Sequence, residues 1–500
     1  MLLLYETLSI PIIILLGIIL IPLLSFIFIV LPFNSKFKYQ FALKSALVSF
    51  IFSLVFWFLL KHAGEGLPFK YSIYLLPSFV SSLQLGVDGI SIFFIVLTNL
   101  FIYLGILSLD FRTVKLSELL MYLFFIQWSV ICSFLFLDIL GFFLFFEITL
   151  IPIYFLVLIW GSRASRIRAS YLISLYTLFG SIFILFNIIY LYSKTGTTNY
   201  ELLLTVHFTE SEQYFLWATF FVAFAAKIPV FPLHIWLPEA HVEAPTLGSV
   251  ILAVILLKLG GYGLIRFSLP LFPEGTFYFS PLISTFAIVG VLYTCLTAIR
   301  QIDLKKIVAY SSIGHMNIVL LGILAGTSEA LQGAMFQMLS HGVVSGALFF
   351  CVGSLYERYS VRSLKYYGGL SYVYPLFSII FLIFFLANIS FPLTSSFVGE
   401  FLILIGLFKY NFWATFFAGL SMVLGAVYTL WTYNRVFYGN IRSLSLTFYM
   451  DLTKKEYAIF STLIFILFIM GIFPAIFLDV FFLECLNILE HAKIGRATNT

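Results

Sequence analysis

Apolar runs recur along almost the whole chain, with short polar segments between them. A run of about 20 apolar residues is long enough for a helix to cross the hydrocarbon core of a membrane. Of the 500 residues, 62% are hydrophobic and only 10% are charged, whereas soluble domains average about 45–50% apolar and about 25% charged residues. The chain is therefore predicted to be a membrane protein. A transmembrane β-barrel is disfavoured, because its strands would alternate apolar and polar residues.

The runs divide into about fourteen spans by the length criterion, which predicts an all-α polytopic protein with a single membrane domain over residues 1–500. The segment 64–84 is too short and too interrupted to span, and we interpret it as a loop outside the membrane. The N-terminus shows no signal or transit pattern, so the first run is expected to be a retained helix. The predicted spans are 8–31, 40–61, 88–108, 116–137, 139–160, 169–192, 213–237, 246–269, 278–299, 305–325, 329–355, 373–408, 411–438 and 457–479.

Positive charges are distributed unevenly between alternate loops. The loops after odd-numbered spans carry 18 of the 27 Lys and Arg residues and the opposite loops carry seven, while Lys227 and Lys258 lie inside spans. Positively charged loops stay on the cytoplasmic or matrix side of a membrane. Both termini are therefore predicted to face the outer compartment.

Two of the spans are interrupted by proline. The seventh reads AAKIPVFPLHIW, in which Pro229 and Pro232 each remove a backbone N–H donor, and the twelfth reads LANISFPLTSSFVGEFLILIG, with Pro392 before a Ser/Thr cluster. Breaks five spans apart have opposite orientations, and this pattern indicates inverted repeats around a site at mid-membrane. The predicted divisions are N-terminal helices 1–3 (8–108), a first inverted five-helix repeat of helices 4–8 (116–269), a second of helices 9–13 (278–438) and a final helix (457–479).

Six ionisable residues lie inside apolar spans, namely Glu147, Lys227, Lys258, His315, His341 and Glu400. Each charge at the centre of a bilayer costs about 2.5–3.5 kcal/mol on insertion scales, which packing does not recover. Burial favours the neutral forms of lysine and glutamate, and histidine titrates near neutral pH, so residues of these types gain and lose protons under physiological conditions. The set has the composition of a proton wire along the membrane plane, with a Glu–Lys pair as a protonation switch.

Some of these positions also have a structural interpretation. A single buried Lys or His serves as a hydrogen-bonding residue in many proteins, and this alternative is strongest for His315, which lies nearer the end of its span. His234 and His241 are expected at the membrane interface, with His234 also a candidate for the route by which protons enter. Asp138, at a helix junction, is expected to cap a helix.

Four stretches carry a family resemblance: KIPVFPLHIWLPEAHVEAPTLGSVILAVILLKLGGYGLIRFSLPLFP, IRQIDLKKIVAYSSIGHMN, MLSHGVVSGALFFCVGSLYER, and YYGGL followed by PLTSSFVGEFLILIG. They resemble the antiporter-like subunits of respiratory complex I, the NADH:ubiquinone oxidoreductase, in their mitochondrially encoded form. The resemblance runs over nearly the whole chain and is most specific between residues 220 and 405. It implies a fourteen-helix fold in the proton-pumping arm, with helices seven and twelve broken.

The resemblance also implies a role for each of the six buried residues. It matches the family's Glu–Lys pair to Glu147 and Lys227, its central lysine to Lys258, its connecting histidines to His315 and His341, and its terminal residue to Glu400. At the terminal position the sister subunits 2 and 5 resemble one another in having lysine. Glutamate there distinguishes this chain from both.

Cofactors and partners follow from the same resemblance. The family assigns no flavin, iron–sulfur or quinone site to such a subunit, so FMN, iron–sulfur clusters and ubiquinone are expected on partner subunits. The four cysteines are scattered singly, without metal-ligand spacing, and we expect no metal or cofactor on this chain. The expected partners are the other membrane-arm subunits, especially subunits 2 and 5, and membrane lipids, with no nucleic acid. The expected location is the mitochondrial inner membrane, with both termini on the intermembrane-space side.

The expected function is proton translocation, driven by NADH oxidation and quinone reduction on other subunits. Glu147 would control the charge of Lys227, which would hand over to Lys258. Lys258 would exchange protons with Glu400 through the two histidines and water. Two alternatives remain open: a subunit of a multisubunit Na⁺/H⁺ antiporter, which shares the fold and the lysines, and a purely structural membrane-arm subunit.

Overall fold

The structure is a computed structural model that describes residues 10–62, 69–73, 83–441 and 450–497. Helices dominate it, because backbone polar groups inside a membrane must be satisfied within the chain. The elements are α1 (Ile10–Val30), α2 (Ser35–His62), β1 (Phe69–Ile73), β2 (Leu83–Val87), α3 (Ser91–Ser108), α4 (Leu116–Leu135), α5 (Ile139–Ile148), α6 (Leu150–Trp160), α7 (Arg166–Thr195), α8 (Tyr200–Leu204), α9 (Glu210–Lys227), α10 (Trp236–Glu243), α11 (Thr246–Leu271), α12 (Pro273–Arg300), α13 (Leu304–Leu324), α14 (Ser328–Tyr359), a 3₁₀ turn (Leu364–Tyr366), α15 (Leu370–Val373), α16 (Pro375–Asn388), α17 (Ser395–Tyr410), α18 (Phe412–Phe437), α19 (Lys454–Ile472) and α20 (Ala475–Ala497).

Within the described residues, 12 helices are long and apolar enough to cross a membrane. The prediction of an all-α polytopic membrane protein is confirmed. Helices α16 and α17 fall outside these 12 because they have only 14 and 16 residues, and α9 does so because its 18 residues include the charged Glu210, Glu212 and Lys227. The number of fourteen spans and the division into inverted repeats stay predictions.

Both proline-rich spans are broken in the structure. The seventh is helical as far as Lys227 and resumes at Trp236, and the twelfth stops at Asn388 and resumes at Ser395. Each gap contains a proline whose missing N–H cannot continue the helical hydrogen bonding. The breaks were therefore predictable from single residues.

The structure differs from the prediction at two places. The final span, predicted over 457–479, stops at Ile472, because Pro474 follows, and the chain continues in the separate helix α20. In the predicted loop 64–84, β1 and β2 form an antiparallel hairpin in which Tyr71 lies opposite Leu85. The other residues of that loop, 64–68 and 74–82, lie outside the described residues.

Loops after successive spans alternate between two ends of the molecule. We call one of them the basic end; it contains the loops that follow α3, α6, α10, α12, α14 and α18. There Arg362 donates to the Ser162 hydroxyl at 2.6 Å and joins the loop after α14 to the loop after α6. At the opposite end, the hydroxyls of Ser280 and Tyr410 are hydrogen-bonded at 2.9 Å. This alternation is what the uneven distribution of Lys and Arg predicted.

Helices α11 and α14 form the centre of the molecule. Their most apolar stretches are 100% buried, whereas those of α1 and α2 are 28% buried. Lys258 lies on α11 and His341 on α14. Two of the six candidate residues are thus carried by the helices farthest from lipid.

Candidate functional site

The first broken helix places Lys227 at the C-terminal end of α9. Carbonyl groups freed by the break are satisfied inside the protein: Trp236 Nε1 donates to Ala226 O at 2.9 Å, and the backbone N–H of Val230 donates to Ala225 O at 3.0 Å. The C-terminal end of a helix carries partial negative charge and favours a cation. The break therefore creates a buried position that suits an ammonium group.

Lys227 and Glu147 lie near each other without forming an ion pair. Lys227 Nζ donates to Phe146 O at 3.4 Å and lies 4.0 Å from the centre of the Phe146 ring. Glu147 follows Phe146 directly, and its Oε1 is buried without a hydrogen-bond partner. Lys227 is thus held by the backbone and ring of the residue before Glu147, which is an open arrangement of the two side chains. That they act as a pair stays a prediction.

Lys258 is fully buried between two π-helical segments of α11, Leu252–Leu256 and Leu264–Ser268. Its Nζ donates to Ala253 O at 2.5 Å and lies 2.8 Å from His341 Nδ1. Single π turns inside α-helices occur often at functional sites, where they displace a side chain from the regular helical path. Here the turn before Lys258 supplies the carbonyl that holds its ammonium group.

Close packing of α9 against α11 brings the positions of Lys227 and Lys258 onto neighbouring helices. A Cβ atom on Gly260 would lie 3.0 Å from Phe224 O and 3.1 Å from Lys227 Cβ. Only the absence of a side chain at Gly260 allows α9 and α11 to approach this closely next to Lys227. Lys227 and Lys258 are therefore on neighbouring helices, but no hydrogen bond of the described residues joins their side chains.

The histidines and Glu400 continue the line from Lys258. The rings of His341 and His315 have their centres 5.7 Å apart. His315 Nδ1 lies 2.7 Å from Glu400 Oε1, and Gln337 Nε2 donates to the same oxygen at 3.0 Å. Lys258, His341, His315 and Glu400 thus lie in one line, in which His315 is partly buried and no hydrogen bond of the described residues joins the two rings.

A small cavity of ≈ 10 Å³ lies beside His315 and Glu400 and is also lined by Ser311, Asn388 and Tyr428. A site needs about 10–15 Å³ and several polar partners to hold one water molecule. The cavity meets both conditions. It extends the polar line from Glu400 towards α18, which carries Tyr428.

Two residues of this site were missed by the sequence reasoning. Gln337 donates to Glu400, and Asn388 Oδ1 lies 3.2 Å from His315 Nε2. A signal existed for each: Gln337 precedes His341 by four residues and so shares its helical face, and Asn388 is the last residue before the second break. Amides lack the insertion cost of charges, so they do not stand out in an apolar span.

The sequence also singled out Asp138, His234 and His241, and the structure shows the surroundings of each. Asp138 caps α5 by accepting from the backbone N–H of Leu140 at 2.9 Å, so that prediction is confirmed. His234 is buried against the rings of Phe231 and Tyr293 and is not hydrogen-bonded to any of the six candidate residues. The side chain of His241 is completely buried, and its position at the membrane interface stays a prediction.

Metal ligands do not cluster in the part of the chain that the structure describes, where no three His, Cys, Asp or Glu side chains are grouped as a metal ion would require.

Comparison with known families decides the affiliation. The model of the family described as "NADH:quinone oxidoreductase/Mrp antiporter, TM" matches residues 137–429, which is more than half of the chain. The chain belongs to this family. All six candidate residues lie inside the matched region.

Individual members of the antiporter family match over nearly the whole chain. The NADH-ubiquinone oxidoreductase chain 4 of Marchantia polymorpha is 46% identical over 482 residues, which are 95% of this chain and 97% of the relative. A chain of the respiratory complex I of Thermus thermophilus with bound NADH superposes with a TM-score of 0.87 at 29% identity, covering 96% of this chain and 99% of that one. A chain of the Mrp complex of a Dietzia species has a TM-score of 0.84 at 17% identity, covering 99% of this chain and 100% of that one, and shows the shared fold alone.

Proposed function

We propose that this chain is a proton-translocating membrane-arm subunit of mitochondrial respiratory complex I. Its relatives over the full length are chain 4 subunits of NADH-ubiquinone oxidoreductase, and its family is that of the antiporter-like subunits. Glu147, Lys227, Lys258, His315, His341 and Glu400 carry the protons. The observation that carries this assignment is the line from Lys258 to Glu400, in which two short contacts, Lys258 to His341 and His315 to Glu400, flank histidine rings whose centres lie 5.7 Å apart.

Each contact in this line suits a proton donor and an acceptor. A charged Lys258 donates to a neutral His341 ring at Nδ1, and His341 can release a proton from Nε2, which has no protein partner. His315 can take up that proton and pass one from Nδ1 to Glu400. Histidine relays in either direction because it accepts at one ring nitrogen while it donates from the other.

Lys227 and Glu147 act before this line. While Glu147 and Lys227 are apart, the Phe146 carbonyl holds the Lys227 ammonium group. If Glu147 approached, it would stabilise the charged form of Lys227 and so disfavour release of the lysine proton. The driving force comes from NADH oxidation and ubiquinone reduction on other subunits, where FMN, the iron–sulfur clusters and the quinone site are placed in this proposal.

The chain is a multi-pass protein of the mitochondrial membrane and assembles with other complex I subunits, as its relatives do by name. Within that setting we assign it to the inner membrane, with sister subunits 2 and 5 and lipids as neighbours. Both termini are assigned to the intermembrane space, since the basic end would then face the matrix.

The test uses the intact complex with Lys258→Ala, and Lys258→Met as a variant of similar side-chain length. The purified complex is reconstituted in vesicles, and NADH oxidation and protons pumped per electron are measured together. We expect an assembled complex in which NADH oxidation is suppressed or partly uncoupled from pumping. The reason is that neither alanine nor methionine at position 258 supplies a titratable group between Lys227 and His341. Lys409→Ala, which removes a half-exposed partner of Glu329, is the control.

Two outcomes would replace the proposal. Full pumping stoichiometry in both Lys258 variants would favour a purely structural subunit. Sodium transport by the isolated complex, lost with Lys258, would favour the Na⁺/H⁺ antiporter alternative.

A further inference from the structure

A pair of buried opposite charges lies between Lys258 and the end opposite the basic end, which we call the outer end. Arg266 is 3% exposed and Asp88 0%, and the Arg266 guanidinium group donates to Asp88 Oδ2. Arg266 follows Lys258 by eight residues on α11, which is about two helical turns. A buried ion pair is often no more stabilising than apolar residues of the same size. The charges of this pair therefore call for an explanation besides stability.

Aromatic rings pack between Lys258 and Arg266. Tyr262, which is fully buried and one turn from each of them, has its ring centre 5.1 Å from that of Phe134 and 6.2 Å from that of Phe142. Its hydroxyl accepts from Arg266 Nε at 3.3 Å and donates to Phe134 O at 3.2 Å, so its proton is already engaged. No hydrogen bond of the described residues joins the Lys258 side chain to Tyr262 or Arg266.

On the outer side of Arg266, buried polar atoms have no protein hydrogen-bond partner. They are Ser268 Oγ near the end of α11, Gln84 Oε1 in β2 and Asn199 Nδ2 in the loop after α7. Tyr200, the residue after Asn199, has its ring centre 5.9 Å from the Arg266 guanidinium carbon. Buried polar atoms of this kind are usually satisfied by ordered water. We therefore expect water from the outer end to reach as far as Arg266, where the aromatic rings begin.

The pair has the charge distribution of a barrier to cations. Asp88 Oδ1 accepts from the backbone N–H groups of Ile90 and Ser91 at 3.2 and 2.9 Å, at the start of α3. The start of a helix carries partial positive charge, which offsets part of the negative charge of Asp88. The surroundings of Arg266 thus keep a positive charge, even though the guanidinium group is paired.

We propose that Arg266, held by Asp88, is a seal that keeps protons of the outer compartment away from Lys258. The seal rests on the proposed function, since only a lysine that exchanges protons needs one. Arginine has N–H donors but no acceptor and does not lose its proton in a protein, so it passes no proton along a hydrogen-bonded chain. Its fixed charge also repels a hydronium ion in the outer-end water, as arginine charges do in selective pores.

The competing explanation is that the pair is a structural clamp between α3 and α11. A clamp is broken by the loss of either partner, because each charge then remains buried and unpaired. A seal fails only when the positive charge is lost. The two explanations therefore differ in the sign of the charge that matters.

Arg266→Gln and Asp88→Asn in the intact complex separate these explanations, because both break the ion pair and only the first removes the cation. The complex is reconstituted in vesicles without NADH, a membrane potential is imposed, and passive flow of protons and of sodium ions is measured with ion-sensitive dyes. Arg266→Lys, which keeps the charge, is the conservative control. The double variant Arg266→Gln with Asp88→Asn leaves no buried charge and replaces a single variant that does not assemble.

We expect passive proton flow to be at least about tenfold faster in Arg266→Gln than in wild type, as removal of one charge from a low-dielectric interior implies, with sodium flow unchanged. Asp88→Asn and Arg266→Lys should stay as tight as wild type, and the double variant should leak protons. A tight Arg266→Gln overturns the seal, as does a tight double variant where the single one does not assemble. Equal proton leaks in Arg266→Gln and Asp88→Asn, or a parallel sodium leak, also overturn it, since a loosened clamp would explain them.

Tyr262→Phe tests the opposite role, in which the same residues release protons from Lys258 to the outer end. It removes the hydroxyl between the two cations and keeps the ring, so a seal predicts wild-type pumping per electron and no leak. Slower pumping in this variant overturns the seal, and where neither glutamine variant assembles, Tyr262→Phe decides. A tight Arg266→Gln together with failed pumping by Lys258→Met refutes the seal alone, whereas full pumping by Lys258→Met refutes the proposed function itself.

Discussion

At the scale of single residues, the site consists of side chains whose partners match their chemistry. Glu400 accepts at one oxygen from both Gln337 and His315, and Lys258 donates to a carbonyl group while it contacts His341. Such a set of partners holds each side chain in one orientation. The residues are therefore arranged in advance for transfer along the line and do not need to move far.

Glu400→Gln tests the terminal residue of the line. The amide fills the same volume but neither takes up nor releases a proton, so we expect an assembled complex in which proton transfer at this position is about 10²–10⁴-fold slower, the usual contribution of an acid–base group. Pumping in vesicles, measured against NADH oxidation, checks this. Glu329→Gln, which removes a carboxylate paired with Lys409 at the surface, should leave pumping unchanged. Equal behaviour of the two variants would contradict the role of Glu400.

At the scale of elements, the broken helices need neighbours that accept their irregular backbone. The second break is packed against α19 at Gly471, where an added Cβ would lie 2.7 Å from the carbonyl carbon of Leu393 and 2.8 Å from that of Thr394. Both neighbours are backbone atoms and cannot turn aside as a side chain would. Gly471 is thus required by the shape of the break and not by its own helix.

Gly471→Ala should therefore destabilise the protein. Overpacking of this kind costs about 1–3 kcal/mol, and the expected result is a lower temperature of thermal inactivation of the complex. Gly419→Ala is the matched control, because nothing lies within 4 Å of its added Cβ and alanine favours a helix over glycine by about 1 kcal/mol. Opposite shifts are expected for the two variants, and a common shift would be inconsistent with this account of the break.

At the scale of the whole molecule, a buried ion pair fixes the start of α3 to the central helix α11. Arg266 donates to Asp88, which also accepts from the backbone N–H groups of Ile90 and Ser91 at 3.2 and 2.9 Å. Arg266 Nε donates to the Tyr262 hydroxyl at 3.3 Å. Asp88 thus accepts from the start of α3 with Oδ1 and neutralises the arginine with Oδ2. It joins the N-terminal part of the chain to the helix that carries Lys258.

Asp88→Ala should strongly impair stability, because Arg266 would be left buried and unpaired. Breaking a buried pair from one side costs about 3–5 kcal/mol. The double variant Asp88→Ala with Arg266→Met removes both charges and should recover most of that loss, apart from about 1 kcal/mol for the helix cap. The amount of assembled complex and its thermal inactivation measure both effects. Additive losses in the double variant would show that the two residues do not stabilise the protein as a pair.

The amino-acid sequence alone was enough to predict the membrane class, the alternation of loops between two ends, both breaks and the six candidate residues. These follow from local properties: hydrophobicity accumulates over a span, proline interrupts the helix in which it lies, and a charge in an apolar run is costly wherever it points. The family resemblance added roles that local properties do not contain.

Which side chains meet could be read from the folded chain alone. Lys258 and His341 are 83 residues apart in the chain, and His315 and Glu400 are 85 apart. Lys305 is buried while Lys306, the next residue, is about one-third exposed, because one step along a helix turns a side chain by about 100°. Contacts depend on the rotation and packing of whole helices against one another, and no property of a single segment specifies these.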